Sequence, residues 1–199
     1  MTGWFITSGY FRNESVEYTE NAFRLAFQKY GVGFEAYKSN ELQFYLDGGE
    51  VKLLQNYAKP DFAIFWDKDV VLAGALEKWG VKVFNNSRAI ELCDDKVKTL
   101  NFLAECGINM PKTVFAPLVF GNREESDEKF LTGLMQILSF PVVVKEASGS
   151  FGWQVYLAKD KAELLSLRQK LVHQPHLYQQ FIKESAGKDA RIIVIGGKA

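Results

Sequence analysis

The 199 residues are 47% hydrophobic, and 24 lysines and arginines balance 24 aspartates and glutamates to a formal charge of zero. That is enough chain to bury one large or two small cores, and no field of one sign recommends a nucleic acid or a membrane surface as a partner. Two cysteines, Cys93 and Cys106, match neither a disulfide framework nor a zinc pattern and read as reduced helix-face thiols; with no signal-like leader and no run of 18 apolar residues, a cytoplasmic protein is expected.

In chain order, Trp4 to Thr7 predicts a short apolar strand ending at the Ser8-Gly9 turn. Val16 to Tyr30 carries Ala22, Phe23, Ala26, Phe27 and Tyr30 at helical spacing, with Gly31 placed to cap it. Phe34 to Tyr37 reads as a second strand, and residues 42 to 54 as a hairpin turning at Asp47-Gly48-Gly49-Glu50. Phe62 to Trp66 is a buried strand, Val70 to Trp79 a helix ended by Gly80, and Lys82 to Phe84 a further strand. Alternating strands and helices of this kind predict an open sheet flanked by helices. Asp67, Lys68 and Asp69 stand at a strand end, where they either line a crevice or cap the next helix.

From residue 87 the style changes. Ser87 to Leu92 is a short helical piece, with Asn85-Asn86-Ser87 to cap it, and Cys93-Asp94-Asp95-Lys96 opens another helix. Val97, Leu100, Leu103 and Ala104 form its expected buried face. Lys96 is out of place there, because a first turn disfavours cations unless an anion lies near. It either pairs with Asp94 or Asp95 or reaches a phosphate. Pro111 to Ala116 predicts a strand, Gly121 to Asp127 a polar loop, and Phe130 to Leu138 an amphipathic helix.

The most informative stretch is Pro141-Val-Val-Val-Lys145-Glu-Ala-Ser148-Gly149-Ser150-Phe151-Gly152. Three valines make a strand suited to cover on both faces, and Lys145 stands where it meets a small-residue loop. Trp153 to Leu157 reads as the returning strand. Glycines let backbone N–H groups approach an anion, and a lysine supplies a point charge. The unit therefore reads as a flap over a nucleotide triphosphate, against the plainer reading of a snorkelling lysine beside a turn. It is neither a P-loop, since Gly-x-x-x-x-Gly-Lys-Ser is absent, nor a dinucleotide fingerprint, since no helix follows Gly152. Asp160 caps a helix bearing Leu164, Leu167 and Leu171; His173 and His176 fall in a loop with Pro175, in no metal-binding spacing. Tyr178 to Ile182 is a strand whose backbone suits an adenine edge. Asp189 and Arg191 alternate on the next strand, where Asp189 could accept ribose hydroxyls or simply pair with Arg191.

Three segments together resemble the ATP-grasp superfamily, and within it the RimK-type carboxylate–amine (alpha-L-glutamate) ligases. They are Val83 to Asn86 with Cys93 to Lys96 and Gly107 to Thr113; Phe140 to Lys145 with Gly149 to Gly152; and Gln179 to Arg191. The resemblance implies an α/β protein with an N-terminal open α/β (pre-ATP-grasp) domain over 1–90. An incomplete ATP-grasp domain follows over 91–199, with a first lobe at 91–176 and the start of a second at 177–199. It implies ATP and Mg2+ as cofactors, and a small carboxylate and an amine as substrates, glutamate being the family-level expectation for the amino acid. Amide formation through an acyl phosphate is the implied reaction. By motif position, Lys96 and Lys145 would meet the phosphates under the loop of Ser148, Gly149, Ser150 and Gly152. Gln180, Phe181 and Ile182 would meet adenine, and Asp189 the ribose. Two departures stand out: Gln180 where many relatives have glutamate, and Gln154 where relatives often have glycine, which predicts a stiffer loop or one capped by Trp153.

Arg191 to Ile195 is expected to be an edge strand, followed by a Gly196-Gly197 turn with no returning arm. On that reading the chain is the N-terminal part of a ligase, inactive alone, with metal ligands further on. Its exposed edge would fray or pair in a homodimer. The alternative from another class is a non-catalytic ATP-binding or interaction module with the same fold.

Overall fold

The computed structural model describes residues 1–199 except 12, 122–126, 151, 191, 195–196 and 199. Its contacts divide the chain into two compact units, Met1–Asp94 and Asp95–Ala199.

The first unit is a parallel sheet in the order β2-β1-β5-β6, formed by β1 (Thr2–Thr7), β2 (Gly33–Lys38), β5 (Phe62–Trp66) and β6 (Lys82–Phe84). Helices α1 (Glu14–Lys29) and α2 (Val70–Lys78) make the crossovers β1-α1-β2 and β5-α2-β6. A separate hairpin, β3 (Phe44–Asp47) with β4 (Glu50–Leu53), turns at Gly48-Gly49. Central β1 is buried on both faces, as a parallel strand between helical layers must be. Trp4 and Ile6 enter one core with Ala63, Phe65, Leu72 and Leu76. Phe5 points the other way, against Phe23 of α1 and Phe34 of β2. Gly3 has no room for a side chain: a Cβ there would lie 2.5 Å from ring atoms of both Phe27 and Phe62. Asp69 caps α2, accepting from the Leu72 N–H at 2.9 Å, and Asn86 accepts from the Ala89 N–H at 2.7 Å at the start of α3 (Ser87–Asp94). Lys68 is bonded to Asp94.

The second unit is an antiparallel sheet in the order β7-β10-β8-β9: β7 (Thr113–Phe115), β10 (His176–Gln180), β8 (Val142–Glu146) and β9 (Val155–Ala158). Helices α5 (Glu128–Ile137) and α6 (Lys161–Lys170) supply Leu131, Leu134 and Leu164 to a core shared with Val142, Val144 and Tyr178. Val143 is only half-buried, so the valine run alternates instead of being sealed on both sides. An antiparallel sheet needs only one face packed, which is the physical reason.

Several expectations are corrected. Trp153 is a turn residue, 80% exposed, and β9 begins at Val155. His176 opens β10 instead of lying in a loop. Helix α4 (Lys96–Glu105) forms, yet none of its residues is buried and Ala104 is exposed. Its start is held by polar contacts. Ile192 to Val194 are 73%, 70% and 61% exposed and belong to no strand. Arg191, Ile195, Gly196 and most of the polar loop 121–127 lie outside the described residues.

Candidate functional site

The face of the second sheet opposite its helical core is polar along one row. Lys145 on β8 stands opposite Leu177 of β10, so Gln179 is its diagonal neighbour on the same face. Gln179 in turn stands opposite Thr113 of β7. Lys145 Nζ donates to Gln179 Oε1 at 2.7 Å, and Gln179 Nε2 donates to Thr113 Oγ1 at 2.9 Å. Burial, and then the ammonium of Lys96, push the Lys145 pKa below its ordinary value. The two ammoniums repel, and an anion would relieve that repulsion.

Lys96 is delivered by a helix start. Asp95 is the N-cap of α4, its Oδ1 accepting from the N–H groups of Val97 at 2.8 Å and Lys98 at 3.0 Å. Asp95 also bridges Ser148, and the Lys96 N–H donates to Ala147 O at 2.8 Å. The Lys96 ammonium faces the same loop, 3.2 Å from Gly149 O and 3.4 Å from Ala147 O. Of the two alternatives for Lys96, the pairing with Asp94 or Asp95 is not what the structure shows: backbone carbonyls receive the ammonium instead.

The loop between β8 and β9 is closed by Glu146 N–H donating to Gln154 O at 3.1 Å and Val155 N–H to Gly152 O at 3.2 Å. Gly149 has φ +135° and Gly152 φ +77°, both in the region that favours glycine. The Gln154 side chain fills the space a Gly149 Cβ would need, and its buried Oε1 has no hydrogen-bond partner among the described residues. Gln154, not Trp153, is what packs on the loop. Ser148 is exposed and Ser150 half-buried; Phe151 lies outside the described residues.

Lys96, Lys145, Ser148, Gly149, Ser150 and Gly152 are gathered about one hairpin. Gln180 ends β10, exchanging backbone contact with Lys112 at 2.9 Å, and Phe181 and Ile182 follow half-buried. Asp189 is exposed in a segment without regular structure and is not joined to this cluster by any described contact. Gln179 and Thr113 are functional candidates that the sequence pattern did not single out. The signal was present in the alternation of β10, which puts Gln179 on the Lys145 face. Two grooves of about 630 and 670 Å³ lie elsewhere, one lined by Phe44, Val51 and Val70, the other by Leu131, Met135 and Leu164. Among the described residues no group of three or more His, Cys, Asp or Glu side chains could hold a metal ion. None of their helices is long and apolar enough to cross a membrane.

A parallel α/β unit followed by an antiparallel sheet carrying a lysine–glycine hairpin is the ATP-grasp ligase architecture. The structure matches the RimK domain ATP-grasp protein of Sphaerobacter thermophilus DSM 20745 with a TM-score of 0.64 at 21% identity, over 90% of this chain and 64% of that one. Residues 93–199 match the model of the RimK-like ATP-grasp domain, and the chain belongs to that family. It is 37% identical over 133 residues to the beta-citrylglutamate synthase B of Mus musculus, covering 66% of this chain and 33% of the relative. It is 29% identical over 209 residues to the N-acetylaspartylglutamate synthase A of Homo sapiens, covering 98% and 52%. The chain spans about a third to a half of the length of these curated relatives.

Proposed function

We propose that this chain carries the nucleotide-gripping part of an ATP-dependent carboxylate–amine ligase. The observation that carries the reading is two lysines about one glycine hairpin, Lys96 on the carbonyls of Ala147 and Gly149 and Lys145, on the strand that leads into the hairpin, on Gln179, each ammonium held by neutral oxygens. Such a pair favours a polyanion, and hairpin N–H groups add donors to it. In this reading Lys96 and Lys145 bind ATP phosphates and the Ser148–Gly152 loop closes over them. Gln180 to Ile182 receive adenine through their backbone, and Asp189 meets the ribose. A substrate carboxylate attacks the γ-phosphorus, breaking its bond to the β-γ bridging oxygen and releasing ADP. The amine then attacks the acyl phosphate, expelling phosphate and leaving the amide after loss of a proton.

The two synthases named above carry glutamate in their names, which supports an amino acid of that kind as one substrate. The described residues gather no group of three or more His, Cys, Asp or Glu side chains that could hold magnesium. The activity is proposed for the whole protein. Amide formation and ADP release in the full-length protein, dependent on both a carboxylate and an amino acid, would support it. ATP binding without any such coupled turnover across a panel of amino acids would favour a non-catalytic binding module.

A further inference from the structure

Gln179 is 7% exposed, and its neighbours fix which way its amide faces. Thr113 Oγ1 donates to Pro111 O at 2.9 Å, a carbonyl that can only accept. The hydroxyl oxygen must therefore accept from Gln179 Nε2, which turns Gln179 Oε1 toward Lys145. A flipped amide would set NH2 against an ammonium, donor against donor. The row Pro111–Thr113–Gln179–Lys145 thus runs across β7, β10 and β8 and ends on a cation.

We propose that Gln179 is a positioning residue for the Lys145 ammonium, a neutral acceptor that fixes its place on the sheet without cancelling its charge. The inference rests on the reading that Lys145 meets phosphate. A carboxylate at the same position would hold the lysine at least as firmly, but an incoming anion would then meet a neutral pair. An apolar side chain would leave the charge and lose the aim. Only an uncharged acceptor of this length supplies both, and Thr113 keeps its oxygen facing the right way. Lys96 follows the same rule, with backbone carbonyls as its acceptors.

The test uses the full-length protein and compares wild type with Gln179→Glu, Gln179→Met and Lys145→Ala. Magnesium-ATP affinity is measured by calorimetry, and the Lys145 Nζ titration by NMR of labelled lysine. Gln179→Glu, nearly isosteric, should weaken ATP binding at least tenfold while raising the Lys145 pKa. Gln179→Met should weaken binding several-fold while lowering that pKa, because the charged form loses an acceptor. A purely structural role would give no such opposition. Wild-type ATP affinity in Gln179→Glu, with Lys145→Ala defective, would overturn the inference and leave the phosphate reading standing. Wild-type affinity in Lys145→Ala would overturn the phosphate reading and the inference with it. Should the carboxylate prevent folding, Gln179→Met decides alone: unchanged affinity and an unchanged Lys145 titration would refute the role.

Discussion

The Lys96 ammonium lies 3.2 Å from the carbonyl oxygen of Gly149, so a lysine ties the first turn of α4 to the tip of the β8–β9 hairpin. No residue of α4 is buried. The helix start is held by the Asp95 cap, the Asp95–Ser148 bridge and the Lys96 backbone bond to Ala147. Asp95→Ala should therefore cost about 1 kcal/mol of stability, the usual worth of such a cap, and should also weaken ATP binding by moving Lys96. Asp95→Asn, which keeps an acceptor, should recover most of both. Urea unfolding and calorimetry on the two variants check this.

Lys145 should reveal its burial through pH. Its folded pKa is lowered, chiefly by desolvation and then by Lys96. Between that value and the unfolded one near 10.5, the unfolded chain binds more protons, so stability rises with pH there. The slope for one such group is at most about 1.4 kcal/mol per pH unit. Wild type should gain stability relative to Lys145→Met as pH climbs through this window. A constant difference would mean the ammonium is not desolvated. The same substitution should weaken ATP binding more than tenfold, since a charge-assisted hydrogen bond is worth roughly 1.5–3 kcal/mol.

Gly149 and Gln154 should be energetically coupled. Gly149→Ala meets both a disfavoured φ and the Gln154 side chain, and is expected to cost about 1–3 kcal/mol. Shortening the obstacle with Gln154→Ala should restore part of that cost in the double variant. Coupling of at least about 0.5 kcal/mol in the double-mutant cycle is expected for residues in contact. Additive single effects would show that Gln154 does not press on the loop.

His176 predicts an acid-side loss of stability. It is 2% exposed, with Nδ1 donating to Gln174 O at 2.6 Å and Nε2 lying 2.9 Å from the Tyr178 hydroxyl oxygen. The carbonyl can only accept, so Nδ1 carries a proton. Burial is the main cause that lowers its pKa. Below the ordinary value near 6.5 the unfolded chain takes up a proton that the folded one resists. Stability should fall as pH drops from about 6.5 towards the lowered pKa, by up to about 1.4 kcal/mol per unit. His176→Asn should flatten that fall in urea titrations at pH 5 to 7.

Much of the first unit was legible because its signals are local and repeated. Period-3.6 spacing marks α1 and α2, glycines close both, and β-branched or aromatic runs mark β1 and β5. The family resemblance rested on the order of short motifs, and residues 93–199 do match the RimK-like domain. The expected strand near residues 191–195 had no such support. Ile192 to Val194 are apolar, yet an apolar run becomes a strand only when something pairs with it, and these three are exposed and unpaired in regular structure.

Reading the chain was enough to find the residue types to hand: two lysines, a glycine loop, and a strand with glutamines at adjacent positions. Composition and motif order were sufficient for that, since both are properties of the chain read in one dimension. Which glutamine serves Lys145 depends on how the strands pair. Adjacent residues of a strand face opposite ways, and the antiparallel register of β10 against β8 and β7 puts Gln179 between Lys145 and Thr113. Register is set by pairing across more than thirty residues of intervening chain, which no local pattern encodes. The same holds for Lys96. Its place in a first turn was readable, but its turn toward Gly149 depends on where a distant hairpin folds back.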